Sequence, residues 1–381
     1  MECKKIGEIA TLSQGIQVPI EKQSTINNSD SVRFLRIIDY TQNKDEVRYI
    51  DNPGEKYLVD DTDVVMIRYG DAGKVVRGYK GAIANNLFKI SIPENLVIKE
   101  YLYYYLSQKC IYERLVNNQQ KTGLPAVNFK TVNDIEISFP KNLETQKKIV
   151  EVLDKAQELI DKRKEQIEEL DELVKSRFIE MFGDPVKNSK NWNMELLSEI
   201  GTLGRGVSKH RPRNAPELLG GDYPLIQTGD VANCGLYIKE YNATYSELGL
   251  KQSKLWDKGT LCITIAANIA KTGILEFDAC FPDSVVGFIA GNKTNNIFMN
   301  YWFTSFQKLL EAQAPESAQK NINLKILSEL KVIMPPIELQ NEFADFVNQV
   351  DKLKYQMETS LKELEDNFNS LMQKAFKGEV F

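Results

Sequence analysis

Five side chains within nine residues, Arg205, Lys209, His210, Arg211 and Arg213, form the strongest basic cluster in the 381-residue chain. Guanidinium and ammonium groups on one loop suit the neutralisation of phosphates, and Arg, Gln or Asn beside them suit the reading of base edges. A second, looser set, Arg68, Lys74 and Arg77, follows one apolar run, with Lys80 just beyond it and Arg33 and Arg36 on another. Lys271 stands where Lys74 stands if the two halves of the chain are aligned.

Catalytic chemistry finds no comparable constellation. His210 is the single histidine, so a Ser-His-Asp or Cys-His arrangement would depend on one residue set in the basic loop GRGVSKHRPRN. The segment GDAGKV (70–75) is similar to a phosphate loop, but Arg68 occupies the place of its first Gly and Val75 that of its Ser or Thr. Pro335-Pro336 lies between Met334 and Ile337 and lacks the Asn/Asp and aromatic flanks of an amino-methyltransferase loop. The five cysteines are widely spaced and never form C-x-x-C, which supports neither a zinc ribbon nor a disulfide framework. No catalytic, cofactor or metal residue is expected.

The elements that must position these loops are legible as a plan written twice. EIATLSQGI (8–16) matches EIGTLGRGV (199–207) at an offset of 191, and LVDDTDVVMIRYGDAGK (58–74) parallels LWDKGTLCITIAANIAK (255–271) at 197. VNFKTVNDIEISFPKNLETQKKI (127–149) and INLKILSELKVIMPPIELQNEF (322–343) close the two halves. Between these anchors the halves diverge. Short β-rich runs such as 34–38, 63–69, 135–139 and 330–334, interleaved with helical patches, predict an α+β domain in each half.

A long helix is predicted after each domain. Apolar residues at Ile149, Leu153, Ala156, Ile160, Ile167, Leu170, Val174 and Met181 alternate in steps of four and three, interrupted by Arg163 and Arg177. Val347, Val350, Met357, Leu361, Leu364, Phe368, Leu371 and Ala375 repeat the pattern. A helix of about 39 residues extends roughly 58 Å, and a narrow apolar seam of that length needs a partner. The reading is two α+β domains (1–142 and 193–336) separated by two long helices (143–182 and 337–376) that pair as an antiparallel coiled coil, with 183–192 as linker. The alternative is that each helix folds back on its own domain.

Charge follows the same division. The net −5 argues against a polyanion partner on its own, but residues 144–180 hold 11 acids against 8 bases and residues 338–379 hold 9 against 5. These segments contribute −3 and −4, which leaves +2 for the remainder. No run of 18 apolar residues occurs and the N-terminal stretch is not a signal peptide, so no membrane partner and a cytoplasmic location are expected.

The doubled plan, the FPKNLETQKKI and MPPIELQNEF junctions with their Pro…Gln helix entry, the strand GDYPLIQTGDV (220–231) and the terminal FKGEVF together resemble the specificity subunits of type I restriction–modification systems over essentially the whole chain. The resemblance implies that each domain is a target-recognition domain reading one half of a split, asymmetric DNA site, while the coil sets the gap. It also implies two copies of an adenine methyltransferase, which carries the S-adenosylmethionine site, and a translocating restriction subunit. Arg68, Lys74, Arg77, Arg205, Lys209, Arg211, Arg213 and Lys271 are the expected DNA-binding residues. A non-catalytic coiled-coil scaffold with two peptide-binding domains is the rival reading.

Overall fold

The computed structural model describes residues 1–42, 46–117, 126–266, 269–313 and 322–380. The chain divides into two compact units, Met1–Glu165 with Glu358–Phe381, and Gln166–Met357. Each unit carries one α+β head and a stretch of both long helices.

In the first head, one sheet has the strand order Thr11–Gln14, Leu87–Ser91, Val64–Ile67, Val75–Val76, all antiparallel. A second runs Arg48–Asp51, Ser31–Leu35, Gly81–Ile83, Leu58–Val59, with the central pair parallel. The second head repeats both orders. Gly201–Arg205, Val285–Ala290, Leu261–Thr264 and Thr272–Leu275 form the first sheet, which gains one parallel edge strand, Tyr237–Ile238. Ala243–Tyr245, Leu219–Leu225, Ala279–Cys280 and Leu255–Trp256 form the second, again with a parallel central pair.

The sequence anchors are physically equivalent places in this frame. Gly15 donates its N–H to Leu87 O at 3.0 Å, and Gly206 to Val285 O at 2.9 Å. A Cβ on either would stand 2.2–2.3 Å from the nearest carbonyl oxygen of the crossing strand, so backbone passes over backbone there and only glycine fits. Ile67 N–H bonds Lys74 O and Thr264 N–H bonds Lys271 O, both at 2.9 Å, and the donors and the acceptors of the two bonds are each offset by 197 residues. Asn128 and Asn323 each accept the N–H three residues on, from Thr131 at 2.8 Å and Ile326 at 2.9 Å, and so cap two matching short helices.

The long helices span Leu143–Phe182 and Ile337–Lys377, of 40 and 41 residues. They pair antiparallel in both units. In the first, Lys164 meets Glu365 at 2.9 Å; in the second, Asp171 meets Lys354 at 2.7 Å and Arg177 meets Glu342 at 3.3 Å. Ile149, Leu153, Ile160, Leu170, Val174 and Met181 are buried along the seam, whereas Met357, Leu361, Leu364, Phe368 and Leu371 are half-buried.

The helix ends do more than pair. Ile149, Val150, Leu153, Met372, Ala375 and Phe376 belong to the same core as Tyr101, Leu102, Ile137 and Phe139 of the first head. Phe178 and Phe182, with Phe343 of the second long helix, join Phe298 and Trp302 of the second head. Coiled-coil pairing and packing onto the adjoining head, set against each other as alternatives in the sequence, both occur. The 183–192 connection is fastened to the second unit, where Trp192 donates its indole N–H to Phe182 O at 2.9 Å.

Candidate nucleic-acid interface

In the second head the basic residues lie on the strand end at Arg205 and on the loop that follows it. Main-chain packing of Gly206 against Pro282 and Phe281 brings this loop beside Asp283. Arg205 donates from Nε to the Asp283 carbonyl, Arg213 pairs with Oδ1 of its carboxylate, and Arg211 lies 3.8 Å from Oδ2. Three guanidiniums against one carboxylate leave a surplus of two positive charges at this spot. Lys209 and His210 donate their backbone N–H groups to Gln252 Oε1 at 2.7 and 3.1 Å, which fixes the loop while both residues stay exposed. Arg211 is also tied back to the Ser208 and His210 carbonyls at 2.7 and 2.8 Å.

Lys271 lies on the turn joining Leu261–Thr264 to Thr272–Leu275, where Thr264 Oγ1 accepts its backbone N–H at 3.1 Å. The equivalent turn of the first head carries Arg68 and Lys74. Lys74 is exposed, while Arg68 is half-buried over the Tyr69 and Phe129 rings, at 5.0 and 5.9 Å. Its Nε is buried and has no hydrogen-bond partner among the described residues.

Arg77 is not brought to that turn. Its guanidinium sits 4.3 Å over the Tyr103 ring and 3.4 Å from Asp154 of the first long helix. Asp154 also accepts the Tyr104 hydroxyl at 2.5 Å, and burial together with that carboxylate pushes the Tyr104 phenol above its ordinary range. The geometry therefore assigns Arg77 to holding the first head on its helix. Arg33 and Arg36 are similarly occupied by the buried Asp39, at 3.3 and 3.0 Å.

Sequence reasoning missed Asp283, the hub of the basic cluster, because nothing local in FPDS distinguishes it. It also missed the cleft of about 270 Å³ beside that cluster, rimmed by Arg213, Asn214, Gln227 and Thr228 over a floor that includes Leu225 and Tyr245. Three segments distant in sequence meet there, so no window of sequence contains it. Among the described residues no group of His, Cys, Asp and Glu could hold a metal ion, and no helix is long and apolar enough to cross a membrane.

Comparison with known proteins bears on this arrangement directly. The family described as type I restriction modification DNA specificity domain matches residues 1–171 and 189–366. The EcoBI specificity subunit of a type I restriction enzyme from Escherichia coli is 23% identical, over 94% of this chain and 82% of the relative. The MjaVIII specificity subunit from Methanocaldococcus jannaschii is 23% identical, over 87% of this chain and 82% of the relative. Among solved structures, a chain from a study of complex assembly and conformational transition in a type I restriction–modification system has a TM-score of 0.61 at 15% identity, covering 100% of this chain and 98% of that one. The type I S subunit from M. genitalium has a TM-score of 0.55 at 16% identity, covering 98% and 96%. The family match falls in two stretches, each covering one sheet frame and its basic residues, and the chain accordingly belongs to the type I restriction–modification DNA specificity family.

Proposed function

We propose that each head reads one half of a bipartite, asymmetric DNA site and that the chain directs an adenine methyltransferase to it. The observation that carries this reading is the repeated frame with unlike loops. The strand orders and anchoring hydrogen bonds recur, while the second head alone has the Arg205–Arg213 cluster and, among the described residues, the extra strand Tyr237–Ile238. One scaffold with two different surfaces is what two different half-sites require.

Lys74, Lys209 and Lys271, with Arg68, Arg205, Arg211 and Arg213, neutralise phosphates and fix register, and neighbouring side chains test base edges. The paired helices set the interval between half-sites. Two copies of the methyltransferase bind the subunit in the cytoplasm, and they supply the S-adenosylmethionine site and extrude the target adenine. A translocating nuclease subunit joins for restriction.

Long-read mapping of methylated adenines tests the reading, in cells holding the methyltransferase gene with and without this gene. A split motif that appears only with this chain supports it. Methylation that is absent, or independent of the chain, sinks it and favours the peptide-binding scaffold, which would also lack a steep salt dependence on DNA.

A further inference from the structure

The cleft beside the Asp283 cluster has a composition that phosphate neutralisation does not explain. Its rim presents two carboxamides, Asn214 and Gln227, next to the Arg213 guanidinium, and its floor is mostly apolar, with Leu225, Tyr245 and Pro282 beside the buried Ser208 hydroxyl. Asn214 and Gln227 are exposed. Gln227 precedes the short helix Thr228–Asn233 and donates its backbone N–H to Asp230 at 2.8 Å, while its side chain makes no capping hydrogen bond. The main chain is therefore fixed and the amide is left at the cleft.

The first head has the same position filled differently. Arg36 precedes the short helix Ile37–Thr41 and donates its backbone N–H to Asp39 at 2.9 Å, the counterpart of the Gln227 contact. Its guanidinium is spent on Asp39 and on the Glu46 carbonyl, at 3.0 and 2.9 Å. One frame position thus holds a committed arginine in one head and an uncommitted amide in the other, as expected of a position that varies with the sequence being read.

A carboxamide sets one donor and one acceptor side by side, which matches N7 and N6 of adenine in the major groove. An apolar floor suits the methyl group of the paired thymine. Resting on the bipartite reading above, we infer that Gln227, supported by Asn214, is a specificity-determining residue that recognises an A·T pair in the half-site of the second head. Arg213, half-neutralised by Asp283, positions the adjoining phosphate.

The test uses the full chain assembled with its methyltransferase. The motif mapped for the unaltered complex defines a panel of duplex oligonucleotides, each with one base pair of the second half-site changed. For the unaltered complex, one A·T pair should matter by about tenfold or more. Gln227→Ala should bring discrimination at that pair to within about twofold and leave every other position unchanged, and Gln227→Arg should favour G·C there. Retention of the full wild-type preference by both variants overturns the inference while leaving bipartite reading intact. Equal loss at every position of the second half-site also overturns it, with assembly and low-salt binding to unrelated DNA confirming that the variant is folded. A wild-type complex without a split motif removes the bipartite reading itself and the inference with it.

Discussion

The Gln146 side-chain amide donates to the Pro140 carbonyl at 2.8 Å, folding the start of the first long helix back onto the strand that leads into it. The same amide reaches Leu96 O at 2.9 Å, and its oxygen accepts Ile98 N–H at 3.0 Å. Gln340 repeats this, donating to Pro335 and Lys293 carbonyls at 2.9 and 3.1 Å and accepting the Thr294 hydroxyl at 2.8 Å. Both glutamines are fully buried. Replacing Gln146 with Leu strands two carbonyls and one N–H, at a cost of about 3 kcal/mol or more. Gln146→Glu should cost still more, since it replaces that donor with a buried carboxylate facing two carbonyl oxygens. Thermal unfolding of the two variants should rank them in that order below the unaltered protein.

Gly206 makes a sharper test of the frame. A methyl group there would lie 2.3 Å from Pro282 O and 2.5 Å from Phe281 O, both backbone atoms that cannot turn aside. Gly206→Ala should destabilise the second unit by about 3 kcal/mol or more. Limited proteolysis should then cut that unit first. Gly220→Ala offers no clash but a left-handed φ of 80°, so its smaller effect, about 1 kcal/mol, separates conformational strain from collision.

These two sites also explain what could be read from residues alone. Ile149, Leu153, Leu170 and Val174 obey a period that follows from helix geometry, so their burial was legible without knowing the partner. Phe178 and Phe182 escaped it. They lie off the expected seam positions because the helix end is also embedded in a head, with Phe178 5.7 Å and Phe182 4.9 Å from Phe298. The repeat anchors were legible because backbone crossings and caps tolerate few residue types. The polar assignments were less so. Arg213 and Asp283 stand 70 residues apart, and Arg77 and Asp154 stand 77 apart. A basic residue's partner is set by the tertiary fold and leaves no local trace.

That difference in partners predicts a difference in behaviour. Arg213→Ala should weaken DNA binding nearly equally on all sequences and lower the slope of log K against log salt by about 0.9 for the lost phosphate contact. Arg77→Ala should leave the slope unchanged. It should instead lower the unfolding temperature, because it removes a cation–π contact and a half-exposed ion pair worth about 1 kcal/mol together. Binding isotherms at several salt concentrations, read beside melting curves, distinguish the two. A shallower slope for Arg77→Ala would place that residue on DNA after all.

Exchanging residues 1–142 for the corresponding head of a relative should change one half of the methylated motif and leave the other intact. The graft must keep Gln146, so that the new head meets the same helix entry. Simultaneous change of both halves in the mapped motif would show that the heads do not read independently.

The interval between half-sites should follow helix length. Seven residues lengthen an α-helix by about 10.5 Å, which is about three base pairs at roughly 3.4 Å each. One heptad inserted after Glu165 and one after Met357 keep the seam in phase and fall where the two units divide both helices. Because Lys164–Glu365 belongs to one unit and Asp171–Lys354 to the other, neither of these ion pairs need be broken. The methylated motif should retain both half-sites and gain about three unspecified base pairs between them. A heptad in one helix alone slips the seam against its partner and should abolish methylation. Should the double insertion leave the gap unchanged, the helices do not set it.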